Sequence, residues 1–262
     1  MKCVLRCPGM PKTAVDYATD QITVYRSCPY KCVYCWCQLP FFRARIGRGK
    51  YNPVDEARRY LYKSNRTIVV SFTSDPYPPV EEEAGLTRQV LKILSESRNR
   101  VLVLTKNPEL ALRDLDVMLS GEAEFWLGTT ITSLGNTSRI LEPNTPPPTD
   151  RLRALQVAKS RGLRTWLSME PIIPGATEVE EIVWMTISYV DWYVFGPLNY
   201  ANQLNLPVKP VEAKKYYATH VPRALVVVES YGKSWHVKKE LARQLQSLNH
   251  PSLLLRGRLH EH

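Results

Sequence analysis

Short apolar runs alternate with helix-length segments along most of this 262-residue chain, and that alternation restricts the fold more than any other feature. The runs at 21–26 (QITVYR), 67–72 (TIVVSF), 101–105 (VLVLT), 124–131, 164–169 (RTWLSM) and 192–195 (WYVF) read as six strands. Residues 224–229 (ALVVVE) read as a seventh. Between and after them, segments 52–63, 86–96, 108–119, 150–161, 179–188 and 237–248 carry helical spacing or helix-start signals. Pro53 and the acids Asp55 and Glu56 suit a helix N-terminus, and Thr149 or Asp150 suits an N-cap. Strands alternating with helices of about a dozen residues imply βαβ units and a parallel sheet. Six or so such units fit a full or partial (βα) barrel. Runs such as TIVVSF carry consecutive apolar residues in place of an alternating pattern, as strands covered on both faces require.

A barrel places its chemistry at the C-terminal ends of the strands. Residues 28–37, 73–77, Lys106, Thr132 and Ser133, Glu170 and 196–199 therefore face one cavity. No run approaches the roughly 20 apolar residues of a membrane helix, and the N-terminus has no apolar signal core. The expected compartment is the cytoplasm. Net charge is +10, an excess that attracts polyanions such as nucleic acid.

All six cysteines, Cys3, Cys7, Cys28, Cys32, Cys35 and Cys37, fall within the first 37 residues. Disulfides that staple a fold are spread across it, so this crowding points to a metal site. The loop SCPYKCVYCWC spaces Cys28, Cys32 and Cys35 by three and then two residues, directly after the first strand. Three thiolates on an iron–sulfur cluster leave one iron open, whereas a closed cluster commonly takes four. The competing reading is zinc, with Cys37 as fourth ligand. The single residue between Cys35 and Cys37 is tighter than the usual zinc-knuckle gap, and no His lies nearby.

This loop resembles the signature of the radical S-adenosylmethionine (SAM) superfamily. Residues 71–75 (SFTSD), 103–116, 142–155 (EPNTPPPTDRLRAL) and 169–175 (MEPIIPG) are similar to blocks of its spore photoproduct lyase-like, or DNA repair photolyase-like, branch. The resemblance covers about residues 20–200. It implies an α/β fold: a partial (βα)6 TIM-type barrel of the radical SAM kind at 21–205, with short extensions at 1–20 and 206–262. It implies a 4Fe–4S cluster on Cys28, Cys32 and Cys35, with SAM chelating the open iron. Tyr34 then lies by the adenine, and Ser74 or Asp75 meets the SAM amine. Arg151 clamps the carboxylate, helped by Lys106. Thr130 and Ser133 are ribose contacts, and Glu170 completes the cofactor set. The implied chemistry is reductive SAM cleavage to a 5′-deoxyadenosyl radical, with ferredoxin or flavodoxin as electron donor. The substrate expected is macromolecular or phosphate-bearing, with nucleic acid foremost. The alternatives are a peptide or small metabolite, or a non-enzymatic metal-stabilised nucleic-acid-binding protein.

One departure bears on the reaction. Where the lyase has a hydrogen-donating cysteine, this chain has Phe72, which has no transferable hydrogen. Lesion repair by the lyase's own route is therefore not expected. Residues 41–50 (FFRARIGRGK) mix aromatics with cations, as single-strand binders do; residues 256–258 (RGR) add little. Cys3 and Cys7 lack two ligands for a second metal site.

Overall fold

A computed structural model describes residues 15–43 and 51–246. Cys3, Cys7, residues 44–50 and residues 256–258 lie outside the described residues.

Seven strands form one sheet: β1 (Asp20–Ile22), β2 (Thr67–Val70), β3 (Arg100–Thr105), β4 (Glu124–Thr130), β5 (Arg164–Ile172), β6 (Trp192–Pro197) and β7 (Ser234–Val237). They lie in chain order and every neighbouring pair is parallel. Among the described residues nothing pairs β1 with β7, so the curled sheet is an open half-barrel. The helices are α1 (Pro40–Arg43), α2 (Pro53–Arg58), α3 (Glu81–Ala84), α4 (Leu86–Ser95), α5 (Pro108–Ala111), α6 (Leu115–Ser120), α7 (Gly135–Leu141), α8 (Pro148–Ser160), α9 (Val179–Thr186), α10 (Pro210–Ser230) and α11 (Lys239–Gln246).

The two-residue period of the strands sorts their side chains between two cores. Ile68, Val70, Val101 and Val103 join the main apolar core with the helices, while Val69, Leu102 and Leu104 point the other way. That inner face is filled by indoles. Trp166 and Trp192 stack with centroids 5.1 Å apart, and Trp126 meets Trp192 edge-on at 6.2 Å. Gly128 makes the room: a Cβ there would sit 2.4 Å from the Trp166 ring.

Several sequence expectations change. The valine run at 224–229 is not a strand; it lies in α10. Buried Ala213, Tyr217, Val221, Ala224, Leu225 and Val228 follow helical spacing, and burial of that face overrides β-branched propensity and Pro222. The seventh strand is the polar-looking SWHV that follows, within the segment read as an extension. The helix expected at 108–119 is α5, a 3₁₀ turn (Leu112–Asp114) and α6. Helix α8 starts before Thr149, with Pro148 in its first turn, and neither expected cap residue caps it. Asn52, not anticipated, caps α2 by accepting from the Val54 amide at 2.9 Å.

Candidate active site

The strand ends open onto a cavity of about 380 Å³. The first loop into it is the cysteine loop. Lys31 takes a left-handed turn (φ 49°), the Cys35 amide bonds the Cys32 carbonyl at 3.0 Å, and a 3₁₀ turn follows (Trp36–Gln38). The Val33 amide bonds the Leu141 carbonyl at 2.8 Å, which ties the loop to the end of α7. Cys28, Cys32 and Cys35 all line the cavity and all are free thiols. Burial pushes the Cys28 thiol up and the Cys32 thiol to about 12. A hydrogen bond from the Cys37 thiol holds Cys35 below the usual thiol range. Cys37 itself does not line the cavity.

These thiols suit a cluster. Thiols bind metal as thiolates, and a cationic cluster stabilises that form. Among the described residues, no three His, Cys, Asp or Glu side chains gather closely enough to hold a single metal ion. Three cysteines around one cavity match a polynuclear centre with an open vertex better than a closed tetrahedral zinc.

Beside this loop, Glu142 forms a buried hub that sequence reasoning missed. Its Oε1 accepts from the Tyr34 hydroxyl and from the Thr132 hydroxyl at 3.1 Å, with Lys106 Nζ at 3.0 Å. Its Oε2 lies 2.6 Å from the Arg151 guanidinium. Burial pushes Glu142 up, but Lys106 and then Arg151 outweigh it and hold the carboxyl at about 2. Arg151 is wholly buried. It also donates to the carbonyls of Pro146 (2.8 Å) and Thr130 (2.9 Å) and to the Thr145 hydroxyl. It therefore clamps a carboxylate of the chain itself and does not line the cavity. Lys106 does, with its ammonium 5.5 Å from the Tyr34 ring.

Ser74 and Asp75 also line the cavity, with their polar groups already engaged. The Ser74 hydroxyl donates to the Tyr25 carbonyl. Asp75 accepts from the Tyr77 amide (2.9 Å), the Thr105 hydroxyl (2.6 Å) and the Lys106 amide (2.7 Å). The first is an Asx turn; the others lock the end of β2 to the end of β3. Burial pushes this carboxyl above its usual range. Thr130 lines the cavity, while Ser133 is buried outside it.

Glu170 lines the β5–β7 side, where the sequence reading did not anticipate Lys238 at 3.0 Å from it. Trp36, Phe42, Phe72 and Tyr200 give this side aromatic walls. Lys238 was hidden because the seventh strand was placed ten residues too early. Of the predicted set, the structure thus gathers Cys28, Cys32, Cys35, Tyr34, Ser74, Asp75, Lys106, Thr130 and Glu170, and leaves out Ser133 and Arg151.

The superfamily profile for radical SAM proteins matches residues 22–184, well over half the chain. The chain belongs to the radical SAM superfamily. Members of this superfamily use a 4Fe–4S cluster and SAM, so the chain is an enzyme of that class. An uncharacterized protein of Methanocaldococcus jannaschii is 31% identical over 192 residues, covering 71% of this chain and 73% of that protein. Among solved radical SAM structures, a spore photoproduct lyase variant superposes with TM-score 0.62 at 14% identity, covering 89% of this chain and 80% of that one. Another variant of that lyase, with bound AdoMet and dinucleoside spore photoproduct, gives 0.55 at 15%, covering 78% and 62%. Streptococcus suis SuiB, bound to precursor peptide SuiA, gives 0.60 at 12%, covering 87% and 51%. At these identities the likeness is one of fold. Among the described residues no helix is long and apolar enough to cross a membrane.

Proposed function

We propose that this chain cleaves SAM reductively at a cluster held by Cys28, Cys32 and Cys35, and abstracts hydrogen from a nucleic-acid substrate. The observation that carries the reading is the convergence of those three thiols on one cavity with Cys37 outside it. When bound, the cluster and SAM supply one-electron cleavage to a 5′-deoxyadenosyl radical.

The chain's own residues supply position, charge and dryness. The seven-stranded half-barrel from β1 to β7 carries the catalytic cavity, and the helices and strand of residues 210–246 continue it beyond residue 205. Tyr34 presents a ring face to the cavity while its hydroxyl is fixed by Glu142. Lys106, paired with Glu142 at 3.0 Å and lining the cavity, offers it a cation for the SAM carboxylate. Ser74, Asp75, Thr130 and Glu170 provide polar contacts for the amine and ribose. Ser133 and Arg151 support the walls from behind. The cysteine loop, partly open at Cys28 and Cys35, lets a ferredoxin or flavodoxin approach.

Nucleic acid is favoured by the +10 charge and by the aromatic walls beside the cluster loop. The dinucleoside held by one fold neighbour supports the same class. Anaerobic reconstitution followed by dithionite and SAM should release 5′-deoxyadenosine, and single-stranded DNA or RNA should stimulate it. A colourless zinc protein that binds DNA and releases none would contradict the reading. Stimulation by peptide alone would transfer the substrate to the other class.

A further inference from the structure

Two phenylalanines stand on a helix that has no core to fill. Helix α1 follows the cysteine loop, carries Phe41 and Phe42, and buries none of its residues. Phe42 is instead the centre of an aromatic cluster. Its ring centroid lies 4.6 Å from Trp36, 5.3 Å from Phe41 and 5.3 Å from Tyr200, each contact edge to face. None of these four rings belongs to the apolar cores. Trp36 continues the series to Phe72, 6.4 Å away on the cavity wall. The cluster therefore runs from the cavity, which Trp36, Phe42, Phe72 and Tyr200 line, out to Phe41, which does not line it.

Its outer end is open to solvent: Phe41 is 59% and Tyr200 42% exposed. Exposed aromatic rings gathered beside a cavity mark a binding surface rather than a folding element. Tyr200 is also held in the left-handed region at φ 61°, a backbone that bulky side chains rarely adopt and that the surrounding structure must enforce. The Leu204 amide, 3.0 Å from the Tyr200 carbonyl, secures that turn. Arg43 at the end of α1 and Lys31 in the cysteine loop are both exposed, and neither has an acidic partner among the described residues. Aromatic rings beside such cations fit a strand of unpaired nucleotides, whose bases stack and whose phosphates need countercharge. A duplex does not fit, because its base faces already cover one another.

We propose that Phe41, Phe42 and Tyr200 form a stacking platform at the cavity mouth that holds the unpaired nucleotides flanking the one that reacts. This deepens the nucleic-acid reading above and rests on it. The platform makes strand state, not base identity, the basis of substrate choice, since every base has a π face.

The test is fluorescence anisotropy of the cluster-loaded, SAM-bound protein with three labelled DNA probes of equal length: a strand of ten thymidines, an abasic strand with the same phosphates, and a duplex. The thymidine strand should bind about tenfold more tightly than the abasic strand, since the two differ in stacking and not in charge. It should also bind more tightly than the duplex at equal salt. Phe41→Ala and Tyr200→Ala should each weaken binding of the thymidine strand about fivefold or more and leave that of the abasic strand unchanged. Tyr200→Phe, which keeps the ring, should retain the wild-type affinity. Equal affinity for the thymidine and abasic strands, or preference for the duplex, overturns the proposal, and these wild-type comparisons need no variant to fold. In that event, DNA-stimulated release of 5′-deoxyadenosine by the same preparation leaves the nucleic-acid reading standing. Binding of none of the three probes overturns both, and binding of a ten-residue proline peptide in their place assigns the aromatics to a peptide.

Discussion

Glu142→Gln removes one negative charge and almost nothing else. The amide oxygen can still accept from the Tyr34 and Thr132 hydroxyls, so the cysteine loop keeps its tether. What is lost is the partner of Lys106 and of Arg151, and Arg151, 0% exposed, has no route to water. Removing one member of a buried pair costs about 3–5 kcal/mol. The proton equilibrium gives a similar figure: a carboxyl held from 4.5 down to about 2 carries about 3 kcal/mol of interaction at 1.36 kcal/mol per pH unit. Against a total stability of about 5–15 kcal/mol, that is a large fraction. Urea denaturation followed by far-UV circular dichroism should show the midpoint falling with little change in slope. Arg151→Met in the same background should cost less than it does alone, by more than about 1 kcal/mol, because the orphaned charge is gone. A loss under about 0.5 kcal/mol for Glu142→Gln, or strict additivity in the double variant, would refute the hub.

Further outcomes follow from the same geometry. Because the folded-state value of Glu142 is depressed, its contribution is present above about pH 4.5 and is lost as pH falls toward 2; Glu142→Gln should flatten the stability profile in that window. Gly128→Ala places a methyl 2.4 Å from the Trp166 ring and should cost about 1–3 kcal/mol by overpacking, with a changed tryptophan emission spectrum. Replacing Cys28, Cys32 or Cys35 singly with Ala should abolish the iron–sulfur chromophore. Cys37→Ser, outside the cavity, should retain it with near-normal iron content.

The parts legible in the sequence were those with strong local signals. Six of the seven strands follow from apolar runs, and the cysteine spacing puts Cys28, Cys32 and Cys35 on one loop, where all three line the cavity. Strand-end logic then found eight of the nine site residues that line the cavity, and Thr130, inside the fourth predicted strand, stood on its hydroxyl alone. It failed where the deciding partner was not local to the signal. Arg151 reads as a ligand clamp until Glu142, nine residues upstream, is seen to occupy it. Ser133 follows a strand yet turns away from the cavity. The valines of α10 carry strand propensity, and only packing of their helical face against the core decides otherwise. That error displaced β7 and concealed Lys238. Glu142 had a trace in the sequence, an acid beside a proline-rich turn, but nothing local marks an acid as buried.

Mössbauer spectroscopy of the iron-57-reconstituted protein, recorded before and after adding SAM, bears most directly on the vacant iron. One iron in four should change its isomer shift and quadrupole splitting when SAM binds, while the three thiolate-held irons stay as they were. A spectrum indifferent to SAM, or a preparation that takes up one zinc per chain and no iron, would contradict the account.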